Sequence, residues 1–75
     1  MSNKTVKEFL DMTDFSDIDD AEIFDIEEGT TYEYDVVDGE VSKWCVHDFG
    51  DAEVTDFRIY EYEERNILII SVYGK

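Results

Sequence analysis

Apolar and polar positions change their period once along this chain, separating a helical opening from a β-rich remainder. Val6, Phe9 and Leu10 recur at i, i+3 and i+4, the spacing of a single helix face. Thr5 precedes them as an N-cap and Glu8 follows at the capping-box distance, so a helix is predicted from Val6 to Met12 or Thr13. A helix this short has little stability alone and must dock Val6, Phe9 and Leu10 on a sheet. Residues 14 to 20, Asp-Phe-Ser-Asp-Ile-Asp-Asp, read as a polar turn anchored by Phe15 and Ile18.

From Ala21 onward the period falls to two. Glu22 to Glu27 reads as a first strand with Phe24 and Ile26 on one face, followed by a Glu28-Gly29 turn. Thr31 to Val37 alternates cleanly, with Tyr32, Tyr34 and Val36 on one side and Glu33 and Asp35 on the other. Asp38-Gly39 is the strongest local signal, a two-residue type I′ hairpin turn that needs positive φ. The predicted return strand is Val41 to His47. Its register sets Val36 opposite Val41, Tyr34 opposite Lys43 and Tyr32 opposite Cys45, leaving Trp44 and Val46 on the acidic side. Residues 48 to 53 form a second loop. Val54 to Tyr62 and Ile67 to Tyr73 make a last hairpin through Glu63-Glu64-Arg65-Asn66, and the apolar run from Ile67 to Val72 suggests a central strand buried on both faces. The predicted class is α+β: one short N-terminal helix packed on an antiparallel sheet of about four to five strands. Nothing divides residues 1–75, which read as a single small acidic domain.

Composition supports a folded core. Although the net charge is −15, 43% of the residues are hydrophobic and 15% aromatic, unlike a disordered acidic tail. The single Cys45 leaves no internal disulfide and fits a reducing cytoplasm. The opening residues hold no apolar leader segment and no run approaches a membrane span, so a soluble protein with no membrane partner is expected.

Charge changes the picture more. Residues 8 to 42 contain fourteen carboxylates and no Lys, Arg or His. Such a one-signed stretch creates a strong negative field, which attracts basic partners and strains the compact state by self-repulsion. A compact chain of this length has a radius of gyration of roughly 11 Å and a diameter near ~29 Å. Duplex DNA of that length carries roughly 17 phosphate charges, close to the protein's own net charge. A halophile's solvated surface is the plain alternative, but seven Ile against two Ala do not suit it.

The chemistry of the acids narrows further. An EF-hand loop begun at Asp17 would put Ala21 at position five and Glu22 where Gly is required, so it fails. A looser Ca²⁺ or Mg²⁺ site is the third-ranked reading. Cys45 and His47 sit two apart on the expected strand, without the second ligand pair that closes a tetrahedral site. Surrounding carboxylates would weaken Cys45 as a nucleophile, and no phosphate-binding glycine loop is present, so no enzyme and no cofactor are expected. Direct nucleic-acid binding is disfavoured by only six scattered basic residues.

What remains is a basic protein, of the nucleic-acid-binding kind, met by an acidic surface. The candidate contact residues are Asp14, Asp17, Asp19, Asp20, Glu22, Asp25, Glu27, Glu28, Glu33, Asp35, Asp38 and Glu40. Alternate strand positions lie roughly 6.6–6.8 Å apart, so Glu33 and Asp35 form a short charged row on a rigid element. The second reading is a structural or regulatory component that binds through the aromatic surface around Trp44, and a homodimer is a further arrangement. The plain alternative is a merely solvated face, against which stands the absence of interleaved Lys and Arg.

The opening Val6-Lys7-Glu8-Phe9-Leu10, the acidic Asp-Asp-Ala-Glu-Ile-Phe-Asp of residues 19–25, and Glu53-Val54-Thr55-Asp56-Phe57-Arg58-Ile59 with Leu68-Ile69-Ile70 resemble small acidic proteins of phages and mobile elements of Gram-positive bacteria. Residues 31 to 48 lie outside the resemblance. That group includes anti-CRISPR proteins and other DNA-mimicking inhibitors of host nucleases or repair enzymes. The resemblance implies stoichiometric inhibition without a cofactor, in the cytoplasm of a bacterial host.

Overall fold

The computed structural model describes residues 4–73; Lys75, counted among the basic residues, lies outside them, as does the very start of the opening segment. Elements follow in the order α1 (Val6–Met12), β1 (Asp20–Asp25), β2 (Thr30–Val37), β3 (Glu40–Val41), α2 (Lys43–Phe49), β4 (Glu53–Tyr62) and β5 (Arg65–Tyr73). The strands form one five-stranded sheet in the order β3-β2-β1-β5-β4. The α+β class is therefore as expected. The described molecule measures 32 × 23 × 23 Å, and none of its helices is long and apolar enough to cross a membrane.

Helix α1 forms as its sequence dictates. Glu8 N–H donates to Thr5 Oγ1, and Thr5 N–H donates to the Glu8 carboxylate, completing the capping box. Val6 and Leu10 are buried, with Phe9 packed beside them. Phe15 and Ile18 anchor the following loop in the same core. The Asp38-Gly39 turn also holds, with φ of 53° and 79°, and sets Val36 opposite Val41.

Several expectations are overturned. The stretch predicted as a strand from Val41 to His47 keeps only Glu40–Val41 in the sheet; Lys43–Phe49 is helix α2. Ser42 caps it by accepting from Trp44 N–H, and Cys45 and Phe49, four apart, turn inward together. Instead of pairing Lys43 and Cys45, Tyr34 and Tyr32 meet the Phe49 ring, at centroid distances of 6.4 and 4.9 Å. An alternation of Val41, Cys45 and His47 imitated a strand, but burying Phe49 over the two tyrosines requires a helix.

Strand β1 presents the other face to the core. Ala21 and Ile23 are buried, whereas Phe24 lies on the opposite side and Ile26 has left the strand. The reason is Asp25, whose carboxylate accepts from the N–H groups of Glu27 and Glu28 while its carbonyl accepts from Gly29 N–H. This Asx-type turn ends the strand and draws Asp25 inward to 2% exposure.

The sheet is mixed, since β1 runs parallel to β5 and antiparallel to β2. Leu68, Ile70 and Val72 of β5 lie beside Ala21, Ile23 and Asp25 on the helix-covered face. β5 is thus an interior strand, as its apolar run implied, but helices cover one of its faces rather than both. The last hairpin is also tighter than expected: Tyr62 pairs with Arg65, and the turn is Glu63-Glu64, both at positive φ.

Candidate functional site

Strand register decides which acids meet. On the sheet face away from α1 and α2, Asp20 of β1 stands directly opposite Asp35 of β2, and Glu22 opposite Glu33. Opposed side chains on neighbouring strands have Cβ atoms about 4.5–5.5 Å apart, close enough for like charges to destabilise. The four carboxylates line a shallow depression of about 100 Å³ together with Tyr34. It adjoins a second, of about 420 Å³, lined by Asp35, Asp38 and Glu40 with Val37, Val41 and Ser42. Asp35 belongs to both, so the acidic surface runs from the open sheet face onto the β2–β3 hairpin.

The electrostatics record this crowding. Glu22 is held above its ordinary pKa of 4.5, first by burial and then by the charges of Glu33 and Asp20. Arg65 reaches the Asp20 carboxylate at 2.5 Å. Because β5 starts beside the start of β1, Asp17 and Asp19 are tied to the same end: Asn66 Nδ2 donates to the Asp17 carbonyl, and Asn66 N–H to the Asp19 carboxylate.

The structure therefore brings together Asp17, Asp19, Asp20, Glu22, Glu33, Asp35, Asp38 and Glu40. It separates the others. Asp25 is buried as the turn cap and takes no part in an outer surface. Glu27 and Glu28 lie in the β1–β2 turn at the other end of the sheet, where Glu28 accepts from the Tyr32 hydroxyl at 3.4 Å. Asp14, in the α1–β1 loop, accepts from Ser16 N–H, which lowers its pKa.

Two acids outside the predicted set join the gathered end. Glu63 and Glu64 form the β4–β5 turn, which precedes Arg65 and hence sits near Asp20. Their place follows from the parallel β1–β5 pairing, a long-range contact with no local sequence signal. The same face carries Ile67, Ile69, Arg58 and Tyr60 on β5 and β4, so the acids occupy its β1–β2 half and an apolar and cationic strip the rest.

Elsewhere, Trp44 stands 55% exposed on α2, with Lys43 Nζ 5.8 Å from its ring centroid and His47 edge-on at 5.2 Å. Cys45 and His47 are not a pair: Cys45 is fully buried, its thiol pushed up to about 12 by burial and the nearby Asp48 charge, while His47 faces outward. The half-buried Tyr34 hydroxyl donates to Asp48 at 2.9 Å, and burial foremost raises its pKa. Among the described residues, no group of three or more His, Cys, Asp or Glu side chains is placed to hold a metal ion.

Chemically, the gathered carboxylates form an array of acceptors, spaced roughly 6.6–6.8 Å along each strand and about 4.8 Å between strands. Such an array suits guanidinium and ammonium donors, whose bonds to carboxylates are the strong, charge-assisted kind. No protein-family model matches the chain, and neither a curated protein nor a solved structure does.

Proposed function

We propose that this protein is a stoichiometric inhibitor that mimics DNA, laying its acidic face into the nucleic-acid groove of a basic host protein such as a CRISPR effector, a nuclease or another DNA-binding protein. Its site of action is the bacterial cytoplasm, where such targets work. The observation that supports this reading best is the pair of head-on carboxylate oppositions, Asp20 with Asp35 and Glu22 with Glu33, on a sheet face left open by both helices. Opposed like charges weaken a sheet, and a cationic groove would remove that penalty on binding. Scale agrees as well: duplex DNA as long as the molecule's 32 Å axis carries about 19 charges, against a net −15 for the chain.

The test has two stages. Proteins captured from a bacterial lysate at low salt are identified by mass spectrometry, and the captured protein is then assayed for duplex binding. Expected is one-to-one displacement of DNA, weakening steeply as salt rises, and lost when Asp20→Asn, Glu22→Gln, Glu33→Gln and Asp35→Asn are combined. Binding that ignores both salt and these substitutions would overturn the proposal. Exposed Trp44, with Lys43, Val46 and His47 around it, favours a second reading, an aromatic docking surface; Trp44→Ala would then abolish binding that salt leaves unchanged.

A further inference from the structure

Rows of residues across the open sheet face change character from one side to the other. Strand register aligns Glu33, Glu22, Ile69 and Arg58 in one row, and Asp35, Asp20, Ile67 and Tyr60 in the next. A third row holds Thr31, Phe24 and Ser71. Acids thus occupy the β2 and β1 columns, while Ile67 and Ile69 form an apolar spine along β5 that Phe24 widens on β1. Ile67 is the buried floor of this strip, and Ile69 and Phe24 are half-buried. On the β4 side stand Tyr60 and Tyr62, 39% and 55% exposed, with Arg58 exposed beside them.

The topology asks for more cover than the chain provides. β1 and β5 are a parallel pair in the interior of the sheet, and parallel strands are generally covered on both faces. The nearly unbroken apolar run from Ile67 to Val72 has the composition of such a strand, yet the helices pack on the Leu68, Ile70 and Val72 side alone. A second layer laid on the other side would complete the arrangement.

We infer that a basic amphipathic helix of the target protein covers this face, lying along β5. Charge complementarity and spacing name it. Four carboxylates on one side of the spine match Lys and Arg along one flank of the helix, and Arg58 on the other side excludes them there. Helix residues four apart rise roughly 6 Å, close to the roughly 6.6–6.8 Å between alternate strand positions. Apolar residues at i and i+4 therefore sit over Ile67 and Ile69. A second copy of the chain suits the face poorly, since it brings only Arg58 against the four carboxylates. The inference rests on the acidic face being the contact surface, as proposed above, and adds the element of the target that meets it.

Fluorescence anisotropy of a labelled synthetic peptide, titrated with the full chain, tests this. The probe is a helix with leucine at i, i+4, i+7 and i+11, lysine along one flank and glutamine elsewhere. A control of equal charge carries glutamine in place of leucine. The leucine peptide should bind roughly tenfold or more tightly. Tyr60→Ser with Ile69→Ser should remove that advantage, and Tyr60→Ser alone, at the exposed margin, should reduce it. Far-UV circular dichroism confirms that each variant is folded. Equal affinity for the two peptides would overturn the inference. So would an advantage untouched by the Tyr60 and Ile69 variants, or one removed instead by Met12→Ser on α1 or Trp44→Ala on α2, both exposed elsewhere. The two readings fail separately. Salt-sensitive displacement of DNA that ignores Tyr60→Ser and Ile69→Ser keeps DNA mimicry and refutes the helix. Leucine-peptide binding through Tyr60 and Ile69, with no DNA displaced from any captured protein, keeps the helix and refutes DNA mimicry.

Discussion

Glu22 on β1 and Glu33 on β2 face each other across an antiparallel pair, while the guanidinium of Arg65 goes to their neighbour Asp20. This repulsion is measurable. Either Glu22→Gln or Glu33→Gln should stabilise the fold by roughly 0.2–1 kcal/mol. The double variant should gain less than the sum, because removing one charge already ends their opposition. Denaturant titration of the three variants provides the cycle, and strict additivity would show that the two carboxylates do not interact.

A pH profile should expose the same pair. Because Glu22 is held above its ordinary 4.5, the folded chain binds that proton more tightly than the unfolded chain does. Its unfavourable contribution is complete above the raised folded pKa and gone below 4.5. Glu8 and Asp14 are lowered instead, Glu8 chiefly by the Thr5 N–H and Asp14 by the Ser16 N–H. Their favourable contributions exist above 4.5 and 3.8 and disappear as pH falls through their folded values. The melting temperature should therefore rise as pH falls through the raised Glu22 value toward 4.5, and drop as pH falls on through the lowered values of Glu8 and Asp14. Glu22→Gln should flatten the climb and leave the drop.

Added salt should raise the melting temperature, since screening acts on the many exposed carboxylates while Arg65–Asp20 contributes little at the surface. Calorimetric scans from about 10 to 500 mM salt decide this. A flat series would mean that repulsion is already neutralised.

The Glu63-Glu64 turn holds two non-glycine residues at φ of 51° and 66°, a conformation that costs an L-residue roughly 1–2 kcal/mol. Glu63→Asn with Glu64→Gly supplies the residues that type I′ turns favour. A net gain of about 1 kcal/mol is expected after glycine's own entropic cost. A loss of stability on thermal unfolding would show that these glutamates make compensating contacts.

Asp25 should behave as structure rather than as surface. Asp25→Ala removes the acceptor for two N–H groups in the β1–β2 turn, with an expected cost of about 1–3 kcal/mol. Asp25→Asn keeps an acceptor and should cost less. If both variants bind the target as the parent does once folded, the residue lies outside the contact surface, as its burial implies.

Legibility followed locality. The α1 capping box, the Asp38-Gly39 turn, the alternation of Tyr32, Tyr34 and Val36, and the last hairpin all depend on neighbours a few residues away, and all were readable. Helix α2 was not, because Val41, Cys45 and His47 happen to repeat at the strand period, while Ser42 and the Cys45–Phe49 spacing carried the competing signal. The face of β1 was misjudged because a buried carboxylate at Asp25 runs against any hydrophobicity pattern. The abundance of acid was evident from composition. Its grouping depended on the β1–β2 register and on β5 lying parallel to β1, contacts that no local spacing reports.

That parallel pairing sets an order of assembly. Residues 20–25 pair with β2 on one side but find their second neighbour only in residues 67–72, so a nascent chain still lacking the later stretch can form the β1–β2 hairpin but not close the centre of its sheet. Closure across so long a loop is slow compared with hairpin formation. During synthesis the inner strand β1 therefore waits with one flank bare, and chaperone capture or premature proteolysis would act in that interval.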